Sequence, residues 1–340
     1  MHTVETVADL RRRVATLRDR GARIGLVPTM GALHAGHLAL VRCAVETTDQ
    51  VIVSAFVNPL QFAPREDYER YPRTLAADRA ALETLDGGPP DLLYVPSVTQ
   101  MYPNRRPEER VSIATTVHVA GLAGRLEGAS RPGHFDGVCT VVIKLLHQAE
   151  PHAAFFGRKD YQQLLVIRRM VADLDMPVEI VGVPTVREPD GLAMSSRNAY
   201  LDRESRLAAR CLSRGLAAAV MAARQVGPNV PRPSAGMLRD AVLGTISAEP
   251  RARVDYVAVV DPDTLEPPDE APRGEGESRP TRARGSEAHV LGRPTTAPDP
   301  AARHDPLLVA VAVHVGPARL IDNVVVGDQA DEDRLLAAVV

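Results

Sequence analysis

Five short apolar runs, most of them followed by a longer helical pattern, fill the first half of the chain and leave little choice of architecture. Short apolar runs alternating with helical periodicity mark βαβ units, which assemble into a parallel sheet with crossover helices. Strands are predicted at residues 24–27, 51–57, 92–95, 153–156 and 178–183, and helices near 37–47, 74–85, 137–148 and 160–174. Sheets of this kind bind ligands beyond the carboxyl ends of their strands. Chemistry is therefore expected in the loops after Val27, Val57 and Phe156.

The second half reads differently. Two Ala-, Leu- and Arg-rich helices, 203–224 and 234–247, precede strands at 254–260 and 307–314, the outline of a smaller α+β domain. The expected boundary falls at 185/186, because 184–191 carries two prolines and a DG turn signal and can serve as a hinge. Residues 265–306 hold eight Pro, no aromatic and three large aliphatics. Such a stretch buries too little surface to offset its ordering entropy, so disorder is expected at about 266–305. Its six Arg against eight Asp and Glu suit a solvated insertion rather than a nucleic-acid arm. Deleting 268–300 is expected to leave turnover nearly intact, since polar loop insertions are cheaply tolerated; failure of the shortened chain to fold would show the opposite.

Composition narrows the partners. With 40 Lys and Arg against 43 Asp and Glu in 340 residues, no basic excess supports binding nucleic acid by bulk charge. The first twenty residues are too charged for a secretory leader and no apolar run approaches membrane-span length, so a cytoplasmic protein with small-molecule substrates is expected. Cys43, Cys139 and Cys211 are widely spaced without a CxxC pair, which suits neither a disulfide framework nor a zinc site.

Four stretches carry candidate chemistry. In GLVPTMGALHAGHLALV a strand runs into a turn and then a helix, with His34 and His37 one turn apart at its start. Unpaired N–H groups and the helix dipole favour an anion there, and two imidazoles are placed to touch a triphosphate. Gly36 between them suits close backbone approach. The H-x-G-H pattern is expected by chance about 0.02 times in a chain with 10 His and 24 Gly, although two surface or core histidines would look the same. In FVNPLQFAPREDYERYPRT, Asn58 and Gln61 offer neutral amides suited to hydroxyls and a carboxylate, while Asn58-Pro59 equally fits a plain turn. In FFGRKDYQQLLVIRRM, Lys159 is a compact cation able to neutralise charge on phosphorus; Asp160 and Gln163 also match a helix cap and capping box. In AMSSRNAYL, Ser195, Ser196 and Arg197 make a phosphate clamp or ordinary helix caps.

Together with YPRTLAAD, RPGHFDGV and RLIDN, these stretches resemble the pantothenate synthetase family, nucleotidyltransferases that share H-x-G-H with class I aminoacyl-tRNA synthetases. The resemblance spans most of the chain. It implies an α/β fold with an N-terminal Rossmann-like, doubly wound parallel sheet and a smaller C-terminal lid domain. It also implies ATP-dependent joining of pantoate to β-alanine through pantoyl adenylate, with release of AMP and pyrophosphate. Met30, Gly31, Ala32, Leu33, His34, Ala35, Gly36 and His37 would line the ATP site, completed by Gly157, Arg158, Lys159, Asp160, Val186, Met194, Ser195, Ser196 and Arg197. His37 would be the proton donor, working with His34, Lys159, Ser195 and Ser196. Gln61 and Gln163 would hold pantoate, and Gln61 also β-alanine. Mg²⁺ is expected on the phosphates with no dedicated protein ligands, and a homodimer is implied. The insertion after Thr264 is longer than the family pattern, and Arg158 falls at a variable position; neither alters a catalytic assignment. Pantoate is ionised at neutral pH and needs no base for the first step; the acceptor of β-alanine's proton is left open. Another H-x-G-H nucleotidyltransferase, or a non-catalytic ATP-binding module, would share the imidazole pair.

Overall fold

The computed structural model describes residues 1–63, 68–104, 113–225, 233–268 and 305–339. The expected disorder at about 266–305 falls almost wholly outside them. In chain order the first layer contains β1 (His2–Val4), α1 (Val7–Asp19), β2 (Ile24–Thr29), α2 (Ala35–Thr47), β3 (Gln50–Ala55), α3 (Leu75–Glu83), β4 (Leu92–Tyr94) and α4 (Val98–Met101). It continues with α5 (Leu126–Ser130), α6 (His134–Ala149), β5 (Ala153–Gly157), α7 (Tyr161–Asp173) and β6 (Glu179–Val183). The remainder holds α8 (Arg203–Ala209), α9 (Cys211–Gln225), α10 (Ala235–Ser247), β7 (Ala252–Val260), β8 (Leu307–Val315), β9 (Ala318–Val326) and α11 (Gln329–Val339).

The six strands β1 to β6 form one parallel sheet in the order β1-β4-β3-β2-β5-β6. From β2 the chain winds one way and from β5 the other, so a crevice opens beyond their carboxyl ends, where a doubly wound sheet receives ligands. One face packs under α1, α6 and α7 through Leu10, Val14, Val142, Leu146 and Ile167; the other packs under α2 and α3 through Val41, Ala44 and Leu82. Strands covered on both faces must be apolar throughout, which is why these runs show no polar alternation.

The second sheet is antiparallel, β7-β8-β9. Strand β8, LLVAVAVHV, is buried along almost its whole length because both of its faces are covered. Leu307, Val309 and Val311 meet α9 and α10, while Leu308 and Ala310 meet Leu165 of α7. The two layers are thus packed on each other. The structure adds β1, α1, α4, α5, β9 and α11 to the predicted elements, and breaks the predicted 203–224 helix at Arg210. All three cysteines are free, and no helix among the described residues is long and apolar enough to cross a membrane.

Candidate active site

The loop from β2 into α2 presents the histidine pair. His34 is the N-cap of α2: its Nδ1 accepts from the Gly36 N–H at 3.2 Å, and its own backbone N–H donates to His37 Nδ1 at 3.4 Å. The two imidazoles therefore form a reciprocal capping box, with ring centroids 4.0 Å apart. A ring nitrogen that accepts is unprotonated, so each neutral ring carries its proton on Nε2. A Cβ on Gly36 would come within 2.9 Å of the His34 ring, so a side chain there would drive the imidazole out. The loop itself is pinned by buried Asp78 of α3, whose carboxylate accepts from the Ala32 and Leu33 N–H groups and the Thr74 hydroxyl. That is the structural work of the YPRTLAAD stretch.

Burial, and then the neighbouring imidazole, push the His37 pKa down to about 3; burial and the Lys159 charge lower that of His34. Both rings are thus neutral donors at neutral pH. A histidine depressed from 6.5 to about 3 takes no proton in the native state where the unfolded chain does. Stability from this group is full above pH 6.5 and falls by up to about 1.4 kcal/mol per unit as pH drops toward 3. Urea midpoints at neutral pH and near pH 5 check this, and His37→Asn should show the shallower dependence.

The turn after β3 presents Gln61. Asn58 caps that turn, donates to Gln61 Oε1 at 3.0 Å and to the Gly137 carbonyl at 3.0 Å, and accepts from Tyr102 at 2.7 Å. Its amide is engaged in the turn, and Asn58 also lines the cavity that Gln61 borders. Gln61 in turn points its Nε2 at Met30 Sδ, 3.1 Å away. Helix α6 reaches this turn only because residue 137 is glycine: a Cβ there would sit 2.5 Å from the Leu60 backbone.

Lys159 follows β5, with its Nζ 3.8 Å from the Asp160 carboxylate. Asp160 occupies the N-cap of α7 but makes no capping hydrogen bond, so the capping-box reading of Asp160 and Gln163 is not realised. From the second layer, Asn323 of β9 donates to the carbonyls of Arg158 at 3.1 Å and Lys159 at 2.7 Å. Ser195 caps the turn carrying Ser196 and Arg197, and Asn198 fastens that turn to Glu188 at 2.8 Å. Ser196 Oγ meets the Tyr71 hydroxyl at 3.1 Å.

Met30, His34, Gly36, His37, Gln61, Gly157, Lys159, Asp160, Gln163, Val186, Met194, Ser195, Ser196 and Arg197 line one cavity of about 220 Å³. Gly31, Ala32, Leu33 and Ala35 lie outside its lining, as does Arg158, whose guanidinium pairs with Asp328 at 3.0 Å. The cavity adjoins a cleft of about 830 Å³ lined by the second sheet and by helices α5, α6 and α7, and Lys159, Gln163, Ser195 and Arg197 line both. Arg131 and His134 also line both, and neither is singled out by the sequence reading. Their signal was Gly133, whose positive φ of 78° starts α6 inside the RPGHFDGV stretch.

A family model described as pantoate-beta-alanine ligase matches residues 2–325. The chain belongs to that family. It is 45% identical over 328 residues to a pantothenate synthetase of Moorella thermoacetica, covering 96% of this chain and 98% of that one. Over 271 residues it is 50% identical to a pantothenate synthetase of Pseudomonas aeruginosa, covering 78% and 89%. Among solved structures, a pantothenate synthetase from Thermus thermophilus superposes with a TM-score of 0.77 at 45% identity, covering 95% and 99%. A pantoate-beta-alanine ligase from Francisella tularensis, complexed with beta-gamma ATP and β-alanine, superposes at 0.65 with 29% identity, covering 95% and 97%. The α/β architecture with its small antiparallel second sheet is the architecture of these structures.

Proposed function

We propose that this ligase joins pantoate to β-alanine inside the smaller cavity, in two steps through pantoyl adenylate. The observation that carries the reading is the convergence there of the paired imidazoles, Lys159, the twin serines and two glutamine amides from four separate loops. Pantoate offers two hydroxyls, a carboxylate and a dimethyl carbon. Gln61 and Gln163 suit the hydroxyls, and Phe62, Val138 and Val142 supply an apolar wall.

In the first step the ionised carboxylate attacks the α-phosphorus of ATP and pyrophosphate leaves. Such a transfer depends on positioning and on compensating charge in the transition state. The Nε2–H groups of His34 and His37 donate to phosphate oxygens, while Lys159 and Arg197 add positive charge and the serine hydroxyls further donors. With its pKa near 3, His37 acts as a neutral hydrogen-bond donor, and binding of the anionic nucleotide raises its proton affinity. His37→Ala is expected to cost about 3 kcal/mol of transition-state stabilisation, read as kcat/KM for ATP.

Mg²⁺ belongs to this reading as the counter-ion of the nucleotide. Among the described residues no group of three or more His, Cys, Asp or Glu is arranged to hold a metal, and Asp160 is the carboxylate lining the smaller cavity. That donor set suits a hydrated cation carried on phosphates with one carboxylate beside it, where it would neutralise phosphate charge. The lid role of residues 186–340, a homodimer and a cytoplasmic setting complete the reading. Scattering profiles with and without ATP and pantoate, sedimentation and cell fractionation test these three.

ATP–pyrophosphate exchange that requires pantoate but not β-alanine, followed by AMP release when β-alanine is added, is the decisive experiment. A different nucleotidyltransferase would release no AMP, and a binding module would show no exchange.

A further inference from the structure

The backbone amides of the loop between β2 and α2 are spent before any ligand arrives. The Gly31 N–H donates to Thr29 Oγ1 at 3.1 Å, the Ala32 N–H to Asp78 Oδ2 at 3.0 Å and the Leu33 N–H to Asp78 Oδ1 at 2.8 Å. Those of His34 and Gly36 are taken by the two imidazoles. Successive N–H groups in a turn form a concavity that suits an anion. Here the anion is the chain's own carboxylate. We propose that Asp78 is a positioning residue for adenylyl transfer: it fills the anion seat of the H-x-G-H loop in the nucleotide's stead, and so aims the Nε2–H groups of His34 and His37 at the phosphates. The inference rests on the two-step reading of the smaller cavity and deepens it.

Asp78 stands in the first turn of α3, yet among the described residues its carboxylate serves the loop and not that helix's own N–H groups. Its third donor is the Thr74 hydroxyl at 3.0 Å. Thr74 occupies the N-cap of α3 without making a side-chain capping bond, so both residues are turned to the same task. The loop is shaped to receive them. Gly31 and Ala32 adopt positive φ angles of 76° and 51°. That region is rare for alanine and persists only where the surroundings over-determine it. A Cβ on Gly31 would come within 3.0 Å of Asp78 Oδ2. Asp78 is 4% exposed and lines neither cavity, so it acts through the loop and not on substrate.

The lever is short. Leu33 is followed at once by His34, whose N–H reaches His37 Nδ1 at 3.4 Å, the longest bond of the set. That bond keeps the lone pair on Nδ1 and the proton on Nε2. A loop released at residues 32 and 33 would withdraw the His34 N–H and leave the His37 proton free to sit on either nitrogen. Residues 31–33 lie outside the cavity lining and their amides are occupied. Phosphate is therefore read by imidazole, lysine and hydroxyl groups, and not by a cradle of those amides.

The test uses the full chain carrying Asp78→Asn, which keeps the volume but turns an NH₂ group on one of the three donors. Three quantities are measured: kcat and KM in pantoate-dependent ATP–pyrophosphate exchange, the ¹⁵N signals of the paired imidazoles, and the urea midpoint. The signals are assigned by their loss in His34→Asn and His37→Asn. We expect kcat to fall about 10²-fold, the cost of a misplaced catalytic group. The KM for pantoate should stay native, because Gln61 and Gln163 stand on other loops, and the His37 Nδ1 signal should leave its unprotonated position. Exchange at the native rate, a fall with the imidazole signals unchanged, or a parallel rise in the KM for pantoate overturns the proposal. Where Asp78→Asn does not fold, Thr74→Val carries the test, since Thr74 is exposed. It should lower kcat about threefold and move the same signal, as loss of one hydrogen bond allows; native values for both overturn the proposal. Absence of exchange in the native chain would instead sink the two-step reading itself.

Discussion

Replacing Lys159 by alanine is expected to slow pantoate-dependent exchange about 10²-fold, a loss of roughly 3 kcal/mol, while the fold stays intact. The side chain is 18% exposed, ends beside the half-exposed Asp160 and borders both cavities, so its charge is turned to the cavity space. Its backbone is held independently, through the Asn323 amide on the carbonyls of residues 158 and 159, and that hold survives truncation of the side chain. Lys159→Arg should rescue only in part, because a planar fork cannot occupy the place of a compact ammonium. Normal exchange by Lys159→Ala would remove the lysine from the mechanism.

The largest effect on stability is expected from Asp322→Ala. Arg187 and Asp322 form a bidentate pair at 2.6 and 3.0 Å, with side chains only 7% and 1% exposed. Removing the carboxylate strands a buried guanidinium, which costs about 3–5 kcal/mol. Replacing both residues by well-packed apolar side chains should be nearly neutral for folding, since the pair's own attraction does little more than offset its desolvation. Denaturant midpoints for the single and double variants check both statements. A single variant as stable as the native chain would show that water reaches Arg187.

What was legible in the sequence was what acts locally. The pair His34 and His37 and the glycine between them lie on one turn, so spacing alone reveals them. The sheet was legible because strands buried on both faces leave unbroken apolar runs. Strand β9 was not, because Arg319, Asp322 and Asn323 interrupt its pattern. Each of those polar groups is consumed by the other layer: Arg319 by Glu127 at 2.7 Å, Asp322 by Arg187, and Asn323 by the lysine loop. Helix α1 hides behind its arginines, although Leu10 and Val14 are fully buried beneath it. Arg131 and His134 escape for another reason. Their part in the site is defined by the carbonyl of a residue some 70 positions away, and no local spacing encodes such a contact.

The Asn323 amide that ties β9 to the lysine loop makes the far sheet a handle on that loop, and so on the proposed nucleotide site. A compound wedged in the wide cleft beneath Asn323 would pry that loop from its anchor and slacken the grip on phosphate. Such an inhibitor needs no likeness to ATP, pantoate or β-alanine, yet because Lys159, Gln163, Ser195 and Arg197 line both spaces its potency should fall as the nucleotide rises.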